Sequence, residues 1–262
     1  MQERKASMTT TDMPKSGFAA ALRRLPSAQK SAKGAPAYSR FVNRKAGGYL
    51  AAAAFLLKAT PNQVTAVSAL FTFAGIAAVA TAAPSWPLGI AVGLALVVGY
   101  ALDSADGQLA RLRGTSSIAG EWLDHVIDSV KIATLHLAVL VCAFRFFDLP
   151  SGFLLVPLGY AAVETVMFFA MILNDQLRRG HNSGSGAPAP AAGSPSILRS
   201  LLVLPTDYGV LCLAFLLLGS PMAFSVVYGA LFLLNTAFLA AALPKWFGDM
   251  ARLDGTAAKQ GR

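Results

Sequence analysis

Charge is scarce in this chain. Asp, Glu, Lys and Arg together make up 13% of its 262 residues, while 55% are hydrophobic. So few polar side chains cannot cover a water-soluble globule of this size, which argues against a soluble fold and for a bilayer. Cysteine is almost absent: Cys142 and Cys212 stand alone in apolar stretches, without CxxC spacing. That excludes a disulfide framework and a zinc site, and leaves both as packing residues. Acidic residues number 13 against 22 basic ones, a formal charge of +9. The basic residues are not interleaved with aromatics, so no nucleic-acid partner is expected; anionic lipid headgroups fit a positive charge held in loops and termini. The first 46 residues also lack the apolar core of a signal peptide. They are polar and basic, and residues 1–37 are expected to form a disordered cytoplasmic tail.

Long apolar runs fill the rest. GGYLAAAAFLL, residues 47–57, is too short to span a hydrocarbon core that needs about 20 residues. Flanked by Arg40, Arg44, Lys45 and Lys58, it reads as an amphipathic helix lying in the interface. TPNQVT, residues 60–65, supplies a turn and cap before six spans at 64–83, 87–110, 117–146, 152–175, 200–218 and 222–244. The expected fold is therefore all-α: one membrane domain over 38–246 with six transmembrane helices, a flexible cytoplasmic linker at 180–195, and a C-terminal tail over 247–262. Twenty of the 22 Lys and Arg fall on one side of these spans, the exceptions being Lys131 and Arg145. The positive-inside rule puts that side, with both termini, in the cytoplasm. The localisation expected is the plasma (inner) membrane of a bacterial cell.

Four aspartates interrupt the apolar pattern within 26 residues, in DSADGQLARLRGTSSIAGEWLDHVID. Asp103 and Asp106 are three apart, and Asp124 and Asp128 four apart, so each pair shares a helix face. Asp103 lies roughly 24 Å along the second span, near the cytoplasmic interface. Carboxylates beside lipid are costly unless cations neutralise them, and hard oxygen ligands suit Mg²⁺ or Mn²⁺. Gly107, Ala110 and Gly120 remove bulk where a flat base or a phosphate must approach the helices, and Arg111 offers a planar fork for phosphate oxygens. Together they describe a pocket for a metal, a diphosphate and a nucleotide.

The literal pattern is D-x-x-D-G-x-x-A-R, eight residues, then G-x-x-x-D-x-x-x-D. It is carried by Asp103, Asp106, Gly107, Ala110, Arg111, Gly120, Asp124 and Asp128, and resembles the signature of the class I CDP-alcohol phosphotransferase family at all eight positions. The resemblance implies a transferase of phospholipid biosynthesis: an acceptor hydroxyl attacks the phosphorus distal to cytidine and CMP leaves. It assigns Asp103, Asp106 and Asp124 to the metal and makes Asp128 the general base that also touches a metal. Asp106, Gly107, Ala110, Arg111 and Gly120 would contact the CDP moiety, joined by Thr115, Ser116, Ser117 and Asn62. CDP-diacylglycerol is the implied donor, and a homodimer the implied assembly. GEWLDHVIDS is also similar to a stretch of choline and ethanolamine phosphotransferases, which join a CDP-amino alcohol to diacylglycerol. No pair of arginines stands in spans four to six, which counts against an inositol-phosphate acceptor.

Three further ionisable residues in the spans, Lys131, Glu164 and Asp207, are candidates for an acceptor pocket, because such groups face internal cavities; pairing with one another or capping a broken helix would explain them equally. His125 could support its neighbour Asp124 from outside the metal, although a lone helix histidine is more often a packing or interfacial residue; His136 reads as structural, and His181 falls in the linker. A membrane prenyltransferase would need a second acidic motif late in the chain, where only Asp207 stands. A cation transporter would place its carboxylates near the midplane and has no use for the G-x-x-A-R insertion.

Overall fold

The computed structural model describes residues 17–28, 35–185 and 197–260. All regular structure there is helical. In chain order the helices are α1 (Phe18–Ala28), α2 (Arg44–Leu56), α3 (Pro61–Thr81), α4 (Trp86–Arg113), α5 (Ile118–Phe146), α6 (Leu155–Ser185), α7 (Ile197–Leu202), α8 (Tyr208–Ala214) and α9 (Pro221–Gln260). Among the described residues five helices are long and apolar enough to cross a membrane: α3, α4, α5, a stretch over Ser151–Asn182 ending in α6, and Pro221–Leu253 of α9. The chain is an integral membrane protein.

Helix boundaries follow local chemistry. Thr60 caps α3 reciprocally with Gln63: the Gln63 amide donates to Thr60 Oγ1 over 3.2 Å, and the Thr60 amide to Gln63 Oε1 over 2.8 Å, with Pro61 at the first helical position. Gly114 ends α4 in the left-handed region at φ 66°, where a side chain would be strained. Ser117 then starts α5 by accepting from the Gly120 amide over 3.0 Å. The motif's two halves are thus set on consecutive antiparallel helices joined by a four-residue turn.

The expected fifth span does not form one long helix. Its residues are divided among α7, a 3-10 turn over Leu204–Thr206, α8 and a second 3-10 turn over Phe215–Leu217. Pro205 supplies no amide, and the Asp207 side chain accepts from the Gly209 amide over 3.0 Å, capping α8 and fixing the break. The apolar run leading from α8 is Tyr208–Leu217, shorter than a span.

Two buried clusters hold the bundle. One, centred on Leu96, Val79, Leu135, Val139, Phe215 and Tyr228, lies away from the aspartates. The other sits beneath them: Ala51 and Ala52 of α2 and Val64 of α3 pack with Ala105, Leu109 and Leu112 of α4. Ala21 and Leu25 of α1 join this second cluster. Residues 18–28 therefore depart from the disordered tail expected over 1–37: two apolar residues one turn apart find a groove to cover, although Pro26 and the short length hide the helix in the sequence. Residues 1–16 and 29–34 of that tail lie outside the described residues. In the same way α6 continues into the linker expected at 180–195, as far as Ser185, and α9 runs through the expected C-terminal tail to Gln260. Residues 186–195 lie outside the described residues.

Candidate active site

The larger of two cavities at the aspartates measures about 480 Å³. The start of α3 contributes Asn62 and Thr65, α4 contributes Asp106, Gly107, Ala110 and Arg111, the following turn Thr115, Ser116 and Ser117, and α5 Gly120 and Asp124. Every residue expected at the CDP moiety therefore lines one chamber. The glycines make its shape possible. A Cβ on Gly107 would lie 3.2 Å from Arg111 Nη1, and one on Gly120 3.0 Å from Ser117 Oγ and 3.6 Å from Asn62 Oδ1. Either side chain would crowd the polar wall.

A second pocket of about 190 Å³ shares Asp106, Gly107, Arg111 and Asp124 with the first. Its remaining walls are Asp103, Ser104 and Gln108 of α4 and Arg44 of α2. Gln108 Nε2 donates to the Arg44 carbonyl over 3.1 Å and lies 3.2 Å from Ser104 Oγ, pinning the start of α2 to α4. Burial pushes the Arg44 guanidinium below its ordinary value, yet a guanidinium stays cationic at physiological pH.

Each aspartate has a different surrounding. Asp106 is buried and accepts a 2.5 Å hydrogen bond from the Thr65 hydroxyl. Asp103 and Asp128 converge on one buried cation: Lys131 Nζ lies 3.4 Å from Asp103 Oδ1 and forms an ion pair with Asp128 Oδ1. Lys131 Nζ also sits 5.2 Å from the centre of the Tyr208 ring. Ligand atoms of Asp124, His125 and Asp128 lie within 4.8 Å of one another, close enough to share one ion. Clustered carboxylate oxygens with one imidazole fit a hard divalent cation such as Mg²⁺ or Mn²⁺.

The three further candidates part company here. Lys131 belongs to the aspartate cluster but lines neither cavity. Glu164 of α6 and Asp207 line neither cavity either. The Asp207 carboxylate accepts from the Ser39 amide over 2.6 Å, the Ser39 hydroxyl over 2.9 Å and the Gly209 amide, joining the π-helical turn Ser39–Asn43 to α8. His136 is buried, 2.6 Å from the Tyr228 hydroxyl and stacked on Tyr160, in keeping with a structural part. Cys142 and Cys212 are buried and free, as packing residues should be.

Several lining residues escape a reading of the sequence. Thr65 stands 41 residues before the aspartate it contacts, so no local pattern marks it. His125 lines the large cavity beside Asp124, nearer to the supporting position the sequence offered than to the packing role it favoured. Arg179 of α6 reaches the same wall, donating to Glu121 Oε1 over 2.7 Å and pairing with Asp175.

Comparison with known proteins agrees with this geometry. The family model for CDP-alcohol phosphatidyltransferases matches residues 58–247, which include both motif helices and the start of α3. No significant match is found among curated proteins. Members of this family are transferases of substituted phosphate groups in phospholipid synthesis. A match over most of the chain leads to one conclusion, and the large cavity lined by the motif's Asp106, Gly107, Ala110, Arg111, Gly120 and Asp124 agrees with it: the chain belongs to the CDP-alcohol phosphatidyltransferase family.

Proposed function

We propose that this protein transfers a phosphatidyl group from CDP-diacylglycerol to the hydroxyl of an acceptor alcohol, releasing CMP. The observation that carries the reading is the 480 Å³ cavity whose wall contains the motif's Asp106, Gly107, Ala110, Arg111, Gly120 and Asp124. The CDP moiety enters there. Its base lies against the small residues Gly107, Ala110 and Gly120, with Asn62 at the border, and its phosphates meet Arg111 and the hydroxyls of Thr115, Ser116 and Ser117.

Asp103, Asp106, Asp124 and Asp128 would hold Mg²⁺ or Mn²⁺. Such an ion neutralises the diphosphate and stabilises the departing charge on CMP. Thr65 fixes the rotamer of Asp106 through its hydrogen bond. Asp128 takes the proton from the acceptor hydroxyl as that oxygen bonds to phosphorus and the bond to the CMP oxygen breaks. Lys131 steadies Asp128 and Asp103 through its ion pairs with both. The basic residues between and beyond the spans support the reading that this chemistry takes place at the cytoplasmic leaflet of a plasma membrane, bacterial in our proposal. A homodimer through the later spans is supported by the sparse covering of α6, where 17% of the span is buried against 39% in α3, α4 and α5.

The test uses purified protein in detergent with Mg²⁺ or Mn²⁺, offering CDP-diacylglycerol, CDP-choline and CDP-ethanolamine against polyols, serine and diacylglycerol. CMP release from CDP-diacylglycerol is expected, as is its loss in Asp128→Asn with an unchanged elution profile. Release that persists in Asp128→Asn, or no release from any pair, refutes the proposal.

A further inference from the structure

Lys131 is buried, and its ammonium has three protons to place. Asp128 Oδ1 pairs with it and Asp103 Oδ1 lies 3.4 Å from Nζ; among the described residues no other oxygen does so. The ammonium also meets the ring of Tyr208, whose centre is 5.2 Å away. An aromatic face within about 6 Å attracts a cation, and more strongly where water is excluded. Tyr208 thus completes the surroundings of a charge that two carboxylates alone leave open on one side.

The ring is itself held in place. Tyr208 is the first residue of α8, and Tyr100 of α4 meets it in a T-shaped contact, with ring centres 5.1 Å apart and planes at 76°. The Tyr100 hydroxyl lies 2.5 Å from Ser39 Oγ, and the Tyr38 ring stacks on Tyr100 at 6.4 Å. One helix, α4, therefore carries both Asp103 and the aromatic support of the group that faces Lys131. The Tyr208 hydroxyl, by contrast, is buried without a well-formed hydrogen bond among the described residues. Burying an unpaired hydroxyl costs stability and does nothing for Lys131, so the ring is the working part of the side chain.

We infer that the ring of Tyr208 is a positioning element for the transfer: by holding Lys131 it fixes the orientation of Asp128, the proposed base. The inference rests on the proposed transfer and adds to it a residue of the broken fifth span, far from the aspartate motif in sequence. Lys131 engages Asp128 through Oδ1, which leaves Oδ2 to take the acceptor proton. Without the ring, an ammonium on a flexible four-carbon stem can follow either carboxylate, and Asp128 loses its fixed rotamer. A base that is misplaced by a fraction of its reach slows the chemical step. Tyr208 lines neither cavity, so its loss is felt in turnover and not in the holding of the donor.

The experiment measures CMP release by the full-length protein in detergent at saturating Mn²⁺, with the donor and acceptor pair that releases it fastest. Tyr208→Leu removes the ring and should lower kcat roughly ten- to thirtyfold while the KM for the donor stays within about twofold. Tyr208→Phe keeps the ring without its hydroxyl and should retain kcat within about twofold. Phenylalanines carrying one, two and three ring fluorines at position 208 weaken the attraction of the ring face for a cation at nearly constant shape. Through that series kcat should fall stepwise, to roughly a fifth of the Tyr208→Phe value or less with three fluorines. A role confined to packing would leave the series flat. A flat series, a loss in Tyr208→Phe as large as in Tyr208→Leu, or a rise in donor KM without a fall in kcat overturns the inference and leaves the transferase reading standing. No release by the unaltered protein from any pair overturns both. The fluorinated series decides the matter even if Tyr208→Leu does not fold.

Discussion

Replacing Lys131 with methionine removes the one cation shared by Asp103 and Asp128. Its side chain is 7% exposed, and the two carboxylates are 18% and 21% exposed. At 3.4 Å from Asp103 the attraction is about 5 kcal/mol at an effective dielectric near 20, before desolvation is subtracted. Removing one partner of a buried pair leaves uncompensated charge, at a cost of about 3–5 kcal/mol. Two carboxylates share this partner, so the upper half of that range is expected. Conversion at 2–4 °C per kcal/mol gives a fall in Tm of roughly 8–20 °C for metal-free protein in detergent. A divalent ion restores positive charge at the same carboxylates, so saturating Mn²⁺ should raise Tm more in Lys131→Met than in the wild type. Thermal unfolding followed by tryptophan fluorescence, with chelator and with Mn²⁺, measures both differences. A metal-free Tm within 2 °C of wild type, or an equal Mn²⁺-induced rise in the two proteins, would refute the idea that Lys131 balances the aspartate cluster.

Other perturbations separate chemistry from scaffold. Thr65→Val keeps the shape of the side chain but removes the donor to Asp106; Mn²⁺ affinity, read by calorimetry, should fall roughly tenfold, a loss of about 1.5 kcal/mol. Ala110→Leu adds bulk to the wall of the 480 Å³ cavity, so the KM for the CDP donor should rise tenfold or more with Tm little changed. Asp207→Ala strands the Ser39 and Gly209 amides; Tm should fall by roughly 6–12 °C, from a loss of about 3 kcal/mol, while kcat of the surviving protein is retained.

What the sequence makes legible is what repeats at short range. Asp103 with Asp106, and Asp124 with Asp128, declare their common faces through intervals of three and four, and the glycines between them mark the chamber directly. Apolar length likewise identifies the five long helices. Contacts across the bundle leave no such trace. Thr65 meets Asp106 and Arg44 enters the second pocket only once α2, α3 and α4 are packed together. The fifth span misleads because averaged apolarity conceals its break: Pro205 and Asp207 weigh little in a window of about 20 residues yet determine where hydrogen bonding stops. Helix α1 is hidden for the opposite reason, since a few apolar residues in a basic segment acquire meaning only when a groove exists to receive Ala21 and Leu25.

The central claim is that the motif aspartates hold a divalent ion against a CDP moiety in the larger cavity. Calorimetric titration of CDP into the detergent-solubilised protein, with Mn²⁺ and with chelator, tests it most directly. Saturable binding of one CDP per chain is predicted with Mn²⁺, with none in chelator and none in Asp106→Asn at any Mn²⁺ concentration that leaves the fold intact. CDP binding that is equally tight without the ion, or unchanged in Asp106→Asn, would contradict the account.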